Sequence, residues 1–275
     1  MLPRPPPRPI PEPALHRDPV KQNILTMLKF MRTHHKENLE LEIRVGQFNS
    51  SNEFHPGYTQ EHRQLSKKLA IRMEKNSQHP TLSQTWEMVP KYIMMRCEYE
   101  QGVRKTCIPG RNEEFMTKKR VGKLDLTTDR QYQIRLALSR ETKVNLTKGH
   151  HMYERVKRGP PISVRYLQRG SFMEKLSGPH GNEFCFQWDI SKVSTEAPNK
   201  NRATKHPCSY HCEVELKSKL KPLADKVTEQ EEDLWLADHI LARARVLLGT
   251  HYKETPEAPA SLLPAAKFFI LTKDV

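Results

Sequence analysis

Two short alternating runs hold the side chains most capable of chemistry. Glu40, Glu42 and Arg44 alternate with Leu39, Leu41, Ile43 and Val45, and Glu213, Glu215 and Lys217 alternate with Val214 and Leu216. A period of two is the mark of a strand, so each run presents two carboxylates and a cation on one face. One such face is commonly a solvated outer surface; its repetition in a second strand weakens that reading. Between the two runs, residues 115 to 175 contain 15 Lys+Arg against 5 Asp+Glu. Lys118 with Arg120, Arg155 with Lys157, and Arg165 with Arg169 fall on matching strand parity. A sheet closed into a barrel turns alternate residues inward. A lumen with an acidic pole and a basic lining needs an ionic guest, because buried charges without partners are costly. A divalent cation bound to a polyphosphate fits both halves. Carboxylate oxygens are hard ligands for Mg²⁺ or Mn²⁺, and guanidinium and ammonium groups hold phosphate oxygens.

The elements that must position these residues are legible around them. Asp18-Pro19 opens a helix carrying Val20, Ile24, Met27, Leu28 and Met31 on one face to about Arg32. Leu65, Leu69 and Met73 predict a second helix from about Gln60 to Lys75. Short strand-like runs follow around 91 to 98, 102 to 107, 114 to 126, 131 to 142, 151 to 158, 162 to 168, 183 to 193 and 208 to 219. Glycine and proline, as in Gly159-Pro160-Pro161 and Gly178-Pro179, separate several of them. Thr228-Glu229-Gln230-Glu231 reads as a capping box for a last helix to about Leu248, with Leu234, Leu241 and Leu248 inward. Residues 1–17 are proline-rich and read as a disordered leader, and 18–275 as a single domain.

Composition narrows the partners. The chain has 275 residues, 36% of them hydrophobic, and a formal charge of +14, a balance that suits polyanions. No apolar stretch approaches the roughly 20 residues of a membrane helix, and the N-terminus has no secretory apolar region. A soluble intracellular protein without membrane attachment is expected, with Cys97, Cys107, Cys185, Cys208 and Cys212 as reduced thiols. Cys208, His211 and Cys212 do not favour structural zinc, since a strand sends Cys208 and His211 to opposite faces. The pairs His34-His35 and His150-His151 have no ligand spacing, and neither a phosphate-cradling glycine loop nor a His-Glu-x-x-His motif occurs. Trp86, Trp188 and Trp235 are too dispersed for a base-stacking platform and read as core.

The pairing of LELEIRVGQF at 39 to 48 with CEVELK at 212 to 217 resembles the two glutamate motifs of the triphosphate tunnel metalloenzymes. It is most similar to the metal-dependent RNA 5′-triphosphatases of fungi, protozoa and some DNA viruses. MTKKRVGKLDL at 116 to 126, QIRLALSRE at 133 to 141 and FQWDISKV at 186 to 193 resemble further family strands in the same order. The resemblance implies an α+β fold, a closed antiparallel eight-stranded β-barrel with flanking helices. It implies that Glu40, Glu42 and Glu215 hold Mg²⁺ or Mn²⁺ with Glu213 beside them, and that Arg135, Arg155 and Lys157 bind the triphosphate. Asp189 and Ser191 complete the floor, and Arg44, Lys118, Arg158, Arg165 and Arg169 are further phosphate contacts. Lys118 and Lys119 have opposite parity, so only one of them faces inward. The family's Arg-x-Lys-x-Arg strand can lie on Arg155-Val156-Lys157, the preferred placement, or on Arg165 to Arg169. Glu154 stands near another expected carboxylate, and His211 replaces the first of three alternating glutamates.

The implied activity is removal of the γ-phosphate from 5′-triphosphate RNA, the first step of mRNA cap formation. The implied partners are that RNA and an RNA guanylyltransferase, in the nucleus or cytoplasm; monomers and homodimers both occur in the family. A tunnel hydrolase of free triphosphate or nucleotides, and an RNA-binding barrel without turnover, are the alternatives. The paired glutamates oppose the last, since carboxylates repel RNA unless a metal bridges them.

Overall fold

Alternation builds β1 (Leu39–Phe48) as the sequence suggests. Its aliphatic side, Leu41, Ile43 and Val45, is buried. The computed structural model describes residues 18–59, 63–78, 84–99, 102–127, 132–144, 153, 156, 159–196, 208–248 and 263–264. Its further long strands are β3 (Gln84–Glu98), β4 (Val103–Cys107), β5 (Glu114–Thr127), β6 (Gln133–Lys143), β7 (Ser163–Ser177), β8 (Glu183–Glu196) and β9 (Ser209–Leu216). Hydrogen-bonded neighbours run β1–β9–β8–β7–β3–β4–β5–β6 and return to β1. The sheet is therefore a closed eight-stranded antiparallel barrel, and closure removes the unpaired edges an open sheet would expose. A short β2 (Phe54–Pro56) folds back on β1, and β10 (Leu263–Pro264) pairs with β5.

Of the residues expected to form a strand over 151 to 158, the two that are described, Tyr153 and Val156, are helical. Arg155, Lys157, Arg158 and Glu154 lie outside the described residues, as does the proline-rich leader. The strand expected at 162 to 168 instead runs on to Ser177, because Gly178, whose amide bonds the Asn182 carbonyl at 2.7 Å, makes the turn into β8.

Helices cover part of the outside. The Asp18 carboxylate caps α1 (Pro19–Thr33) by accepting from the Val20 and Lys21 amides at 2.9 and 3.3 Å. Helix α2 is Arg63–Gln78 and α3 is Lys226–Leu248. The α3 cap is Asp225, which accepts from the Val227 and Thr228 amides at 3.2 and 3.0 Å. Thr228 is therefore already inside the helix, and Glu229 turns back to the Leu223 amide at 2.8 Å. The buried face of α3 is Leu236, Ala237, Ile240, Leu241, Ala244 and Leu247. Leu234 and Leu248 are half-buried, since steps of seven drift about 20° on a 3.6-residue helix.

The hydrophobic core lies outside the barrel, not within it. Leu41 and Ile43 of β1, Leu136 of β6, Phe186 and Trp188 of β8 and Val214 of β9 form one cluster with residues of α1 and α3. Two buried charge groups pin the helices. Arg32 of α1 meets Glu232 and Asp233 of α3 at 2.7 and 2.8 Å. Arg243 of α3 meets Glu174 of β7 at 2.5 Å and lies 3.9 Å from the Phe186 ring centroid. Among the described residues no helix is long and apolar enough to cross a membrane.

Candidate active site

With the outward parity taken by the core, the charged residues of opposite parity on β1, β8 and β9, Glu40, Glu42, Arg44, Asp189, Glu213 and Glu215, line the lumen. Register then decides which of them meet, because directly opposed residues of an antiparallel pair share a face. Glu42 is opposite Glu215, and Arg44 is opposite both Glu213 and Arg135. Asp189 is opposite Glu213 and Ser171, while Ser191 is opposite His211 and Arg169. The two alternating glutamate runs are thus neighbours in the barrel, although more than 160 residues separate them in sequence.

One pole of the lumen is acidic. Lys118 Nζ lies 2.6 Å from Glu40 and 3.4 Å from both Glu42 and Glu141, and Lys217 lies 2.6 Å from Glu215. Lys119 is exposed on the outer side, which settles the choice between the two lysines. Two cations do not neutralise this many carboxylates. Burial, and then the Glu42 charge, push the Glu40 carboxyl up to about 9. Burial also raises Glu215, with Glu42 contributing.

Arginines dominate further along. Arg44 bonds Glu42 at 2.6 Å and sits 3.2 Å from Glu213. Arg169 donates to Ser191 Oγ at 2.9 Å and Asp189 Oδ2 at 2.5 Å and approaches Glu213 at 3.5 Å. Ser171 Oγ donates to the other Asp189 oxygen at 2.5 Å, so the floor is hydrogen-bonded throughout. Although burial opposes ionisation of Glu213, Arg44, His211 and Arg169 hold its carboxyl well below the usual range. Arg96 is different. Its buried Nε, like that of Arg44, has no hydrogen-bond acceptor, but where Arg44 has Glu42 and Glu213 beside it, Arg96 Nη2 reaches only Met94 Sδ, at 3.8 Å. Burial and the neighbouring Arg104 and Arg169 lower its guanidinium to about 10. Both poles open on one cavity of about 120 Å³, bounded by Glu40, Glu42, Arg96, Arg104, Arg169 and Glu215 among others, with room for a few waters or a phosphoryl group.

Neither the protein-family models nor the curated proteins compared with the sequence give a match. Solved structures do. The S. pombe Pct1 RNA triphosphatase superposes with a TM-score of 0.58 over 88% of this chain and 97% of that one, at 16% identity. Pct1 in complex with the Spt5 CTD gives 0.59 over 86% and 94%, also at 16% identity. The chain has the triphosphate tunnel fold. At this identity the likeness is one of architecture, and activity has to be argued from the side chains.

Of the residues expected to line the tunnel, Glu40, Glu42, Arg44, Lys118, Arg169, Asp189, Glu213 and Glu215 meet at this cavity, and Ser191 is joined to it through Arg169. Arg135 shares their face but is held by Asp125, with contacts of 2.5 and 2.9 Å, and stacks over Phe54. Arg165 points to Glu98 at 3.7 Å. Leu167, in the lysine position of the second Arg-x-Lys-x-Arg placement, is buried against Met94 and Val193. The tunnel also contains Arg96, Arg104 and Glu141, which sequence reasoning did not assign, and Lys217, which it placed on the face of Glu213 and Glu215 without giving it a role. Glu141 follows Arg135 and Ser139 at even spacing on β6, a signal available in QIRLALSRE. Arg96 and Arg104 sit in short runs without alternation clear enough to give their facing.

Among the described residues no three His, Cys, Asp or Glu side chains converge in a cage; each tunnel carboxylate turns to a neighbouring cation. The donor set nonetheless fits a hard divalent cation. All its atoms are carboxylate oxygens, and the crowding that raises Glu40 and Glu215 is what an added positive charge relieves.

Proposed function

We propose that this chain is a metal-dependent hydrolase that removes the γ-phosphate from 5′-triphosphate-ended RNA, the first step of cap formation. The observation that carries the reading is the division of one small lumen. An arginine group that includes a buried Nε without an acceptor faces a carboxylate group whose members raise one another. An anionic guest answers the first and a cation the second, and a metal-bound triphosphate is both.

Glu40, Glu42 and Glu215 would hold the cation, Mg²⁺ or Mn²⁺; when bound it supplies charge neutralisation and polarises a phosphoryl oxygen. The remaining work belongs to the chain. Arg96, Arg104 and Arg169 bind phosphate oxygens, and Asp189, Ser191 and Ser171 keep Arg169 in one orientation. Lys118 answers charge at the acidic pole and orients Glu40 and Glu42. The enclosing wall limits solvent, so these fixed dipoles and charges act at low dielectric, where they stabilise a phosphoryl transition state most. The finer assignments, 5′-triphosphate RNA as substrate and an RNA guanylyltransferase as successor enzyme, belong to the same proposal; the basic lining of the tunnel supports a polyanionic substrate.

The test is phosphate release from γ-labelled triphosphate-ended RNA with Mg²⁺ or Mn²⁺, with and without excess ATP. Release that depends on metal and survives ATP is expected. No release with either metal would sink the hydrolase reading, and complete suppression by low ATP would transfer it to free nucleotides.

A further inference from the structure

The tunnel end beyond Arg44 carries side chains for which phosphate chemistry has no use. Phe48 keeps the parity of Glu40, Glu42 and Arg44 on β1 and stands on the lumen side. The chain then turns back, and Phe54 of β2, directly opposite Phe48, meets it edge to face with 5.4 Å between centroids. Gly46 makes room for this arrangement. A Cβ at that position would come within 2.7 Å of Phe54 Cζ and would collide with the His55 carbonyl oxygen. The Arg135 guanidinium, held flat by Asp125, lies 4.4 Å from the Phe54 centroid and 5.6 Å from that of Phe48. Both rings are half-buried, and Arg120 and Lys123, beside the Arg135–Asp125 pair, are exposed.

Aromatic edges and faces beside a fixed guanidinium plane, at a basic mouth, match one ligand chemistry: the flat π-face of a nucleobase. The pocket at the other end of β1 holds Glu37, Glu40, Glu141 and Glu215 against Lys217 and Lys219, a net negative lining that disfavours a nucleic-acid backbone. Length agrees as well. Arg44 and Phe48 are four residues apart on one strand, about 13 Å at the usual rise, comparable to an extended phosphate chain with its ribose.

We propose that Phe48 and Phe54, framed by Arg135, bind the base of the nucleotide that bears the triphosphate. The tunnel thereby selects nucleotide-terminated over inorganic triphosphate, whatever the base. This inference rests on the proposed function, and the experiment separates the two. Equilibrium affinities for a 5′-triphosphate dinucleotide and for inorganic tripolyphosphate are measured on wild type, Phe48→Leu and Phe48→Trp, with metal-dependent phosphate release followed in parallel. Wild type should favour the dinucleotide, Phe48→Leu should cut that preference about tenfold, and Phe48→Trp should restore it. An unchanged preference in Phe48→Leu, or equal weakening of both ligands, would overturn the platform. Preserved affinities and preference without phosphate release would leave the platform standing and refute the hydrolase reading alone.

Discussion

Replacing Glu174 by alanine should destabilise the protein severely without touching the tunnel lining. Glu174 is 2% exposed and accepts four hydrogen bonds. They come from Gln84 Nε2 at 2.5 Å, Trp188 Nε1 at 2.7 Å, and Arg243 Nε and Nη2 at 3.0 and 2.5 Å. Without the carboxylate, Arg243 stays buried between Phe186 and the His239 carbonyl with no counter-charge. Breaking a buried pair in this way costs about 3–5 kcal/mol, and an unsatisfied Trp188 N–H adds about 1–3 kcal/mol. The two terms share one site and overlap, so about 5 kcal/mol is expected. For a domain of this size that is a fall in Tm of roughly 10–20 °C, measured by calorimetry or circular dichroism. The double variant Glu174→Met, Arg243→Met removes both charges and should recover most of the loss, because a buried pair is often neutral relative to well-packed apolar groups. A single-variant loss below about 1 kcal/mol, or a double variant as unstable as the single one, would refute this account of how α3 is fixed to the barrel.

Three further outcomes follow from the lumen and its surroundings. Arg96→Met removes a cation that its neighbours repel, so Tm should hold or rise while phosphate release falls about a hundredfold; a parallel loss of both would place Arg96 in the scaffold instead. Mg²⁺ or Mn²⁺ should raise the Tm of wild type, and that increment should shrink in Glu40→Gln because one of three crowded carboxylates is gone; an undiminished increment would remove Glu40 from the ligand set. Burial, and then Arg243, hold His239 below its ordinary value, so its contribution to stability is present above about pH 6.5 and is lost as pH falls through the depressed folded value. Between pH 7.5 and 5, Tm should therefore fall further for wild type than for His239→Gln, and equal slopes would count against it.

The strands that alternate cleanly were legible because one side of each is core and the other is charged. LELEIRV and CEVELK state both their conformation and their facing, and pairing them correctly yields the acidic pole. The central cations were harder. Charge density over residues 115 to 175 suggested that this stretch lines the tunnel, yet only some of its cations do. Lys119 is outside, Arg135 is neutralised by Asp125 and Arg165 by Glu98, while Arg96 and Arg104 come from before the window. Density counts charges without parity, and facing is set by parity. For the strand expected over 151 to 158, where the described Tyr153 and Val156 are helical, the reason is related: two cations at spacing two are by themselves weak evidence for a strand. The last helix was found from its capping pattern, but Asp225 takes the cap because its carboxylate reaches two amides, so the helix starts earlier and its buried stripe rotates.

The acidic pole also fixes an order of events in the making of this protein. Glu40 and Glu42 lie on β1 and Glu215 on β9, the two ends of the barrel's sequence, joined only by the β1–β9 ladder. Contacts of such sequence separation form late, because the intervening chain must be ordered first. During synthesis β1 can pair with β6, but its other edge waits, without Glu215 beside Glu42, until β9 has left the ribosome. A chain that stops short of β9 has half a ligand set and an open barrel edge beside β1. Premature fragments of this protein should be inert as phosphohydrolases and prone to strand-edge association.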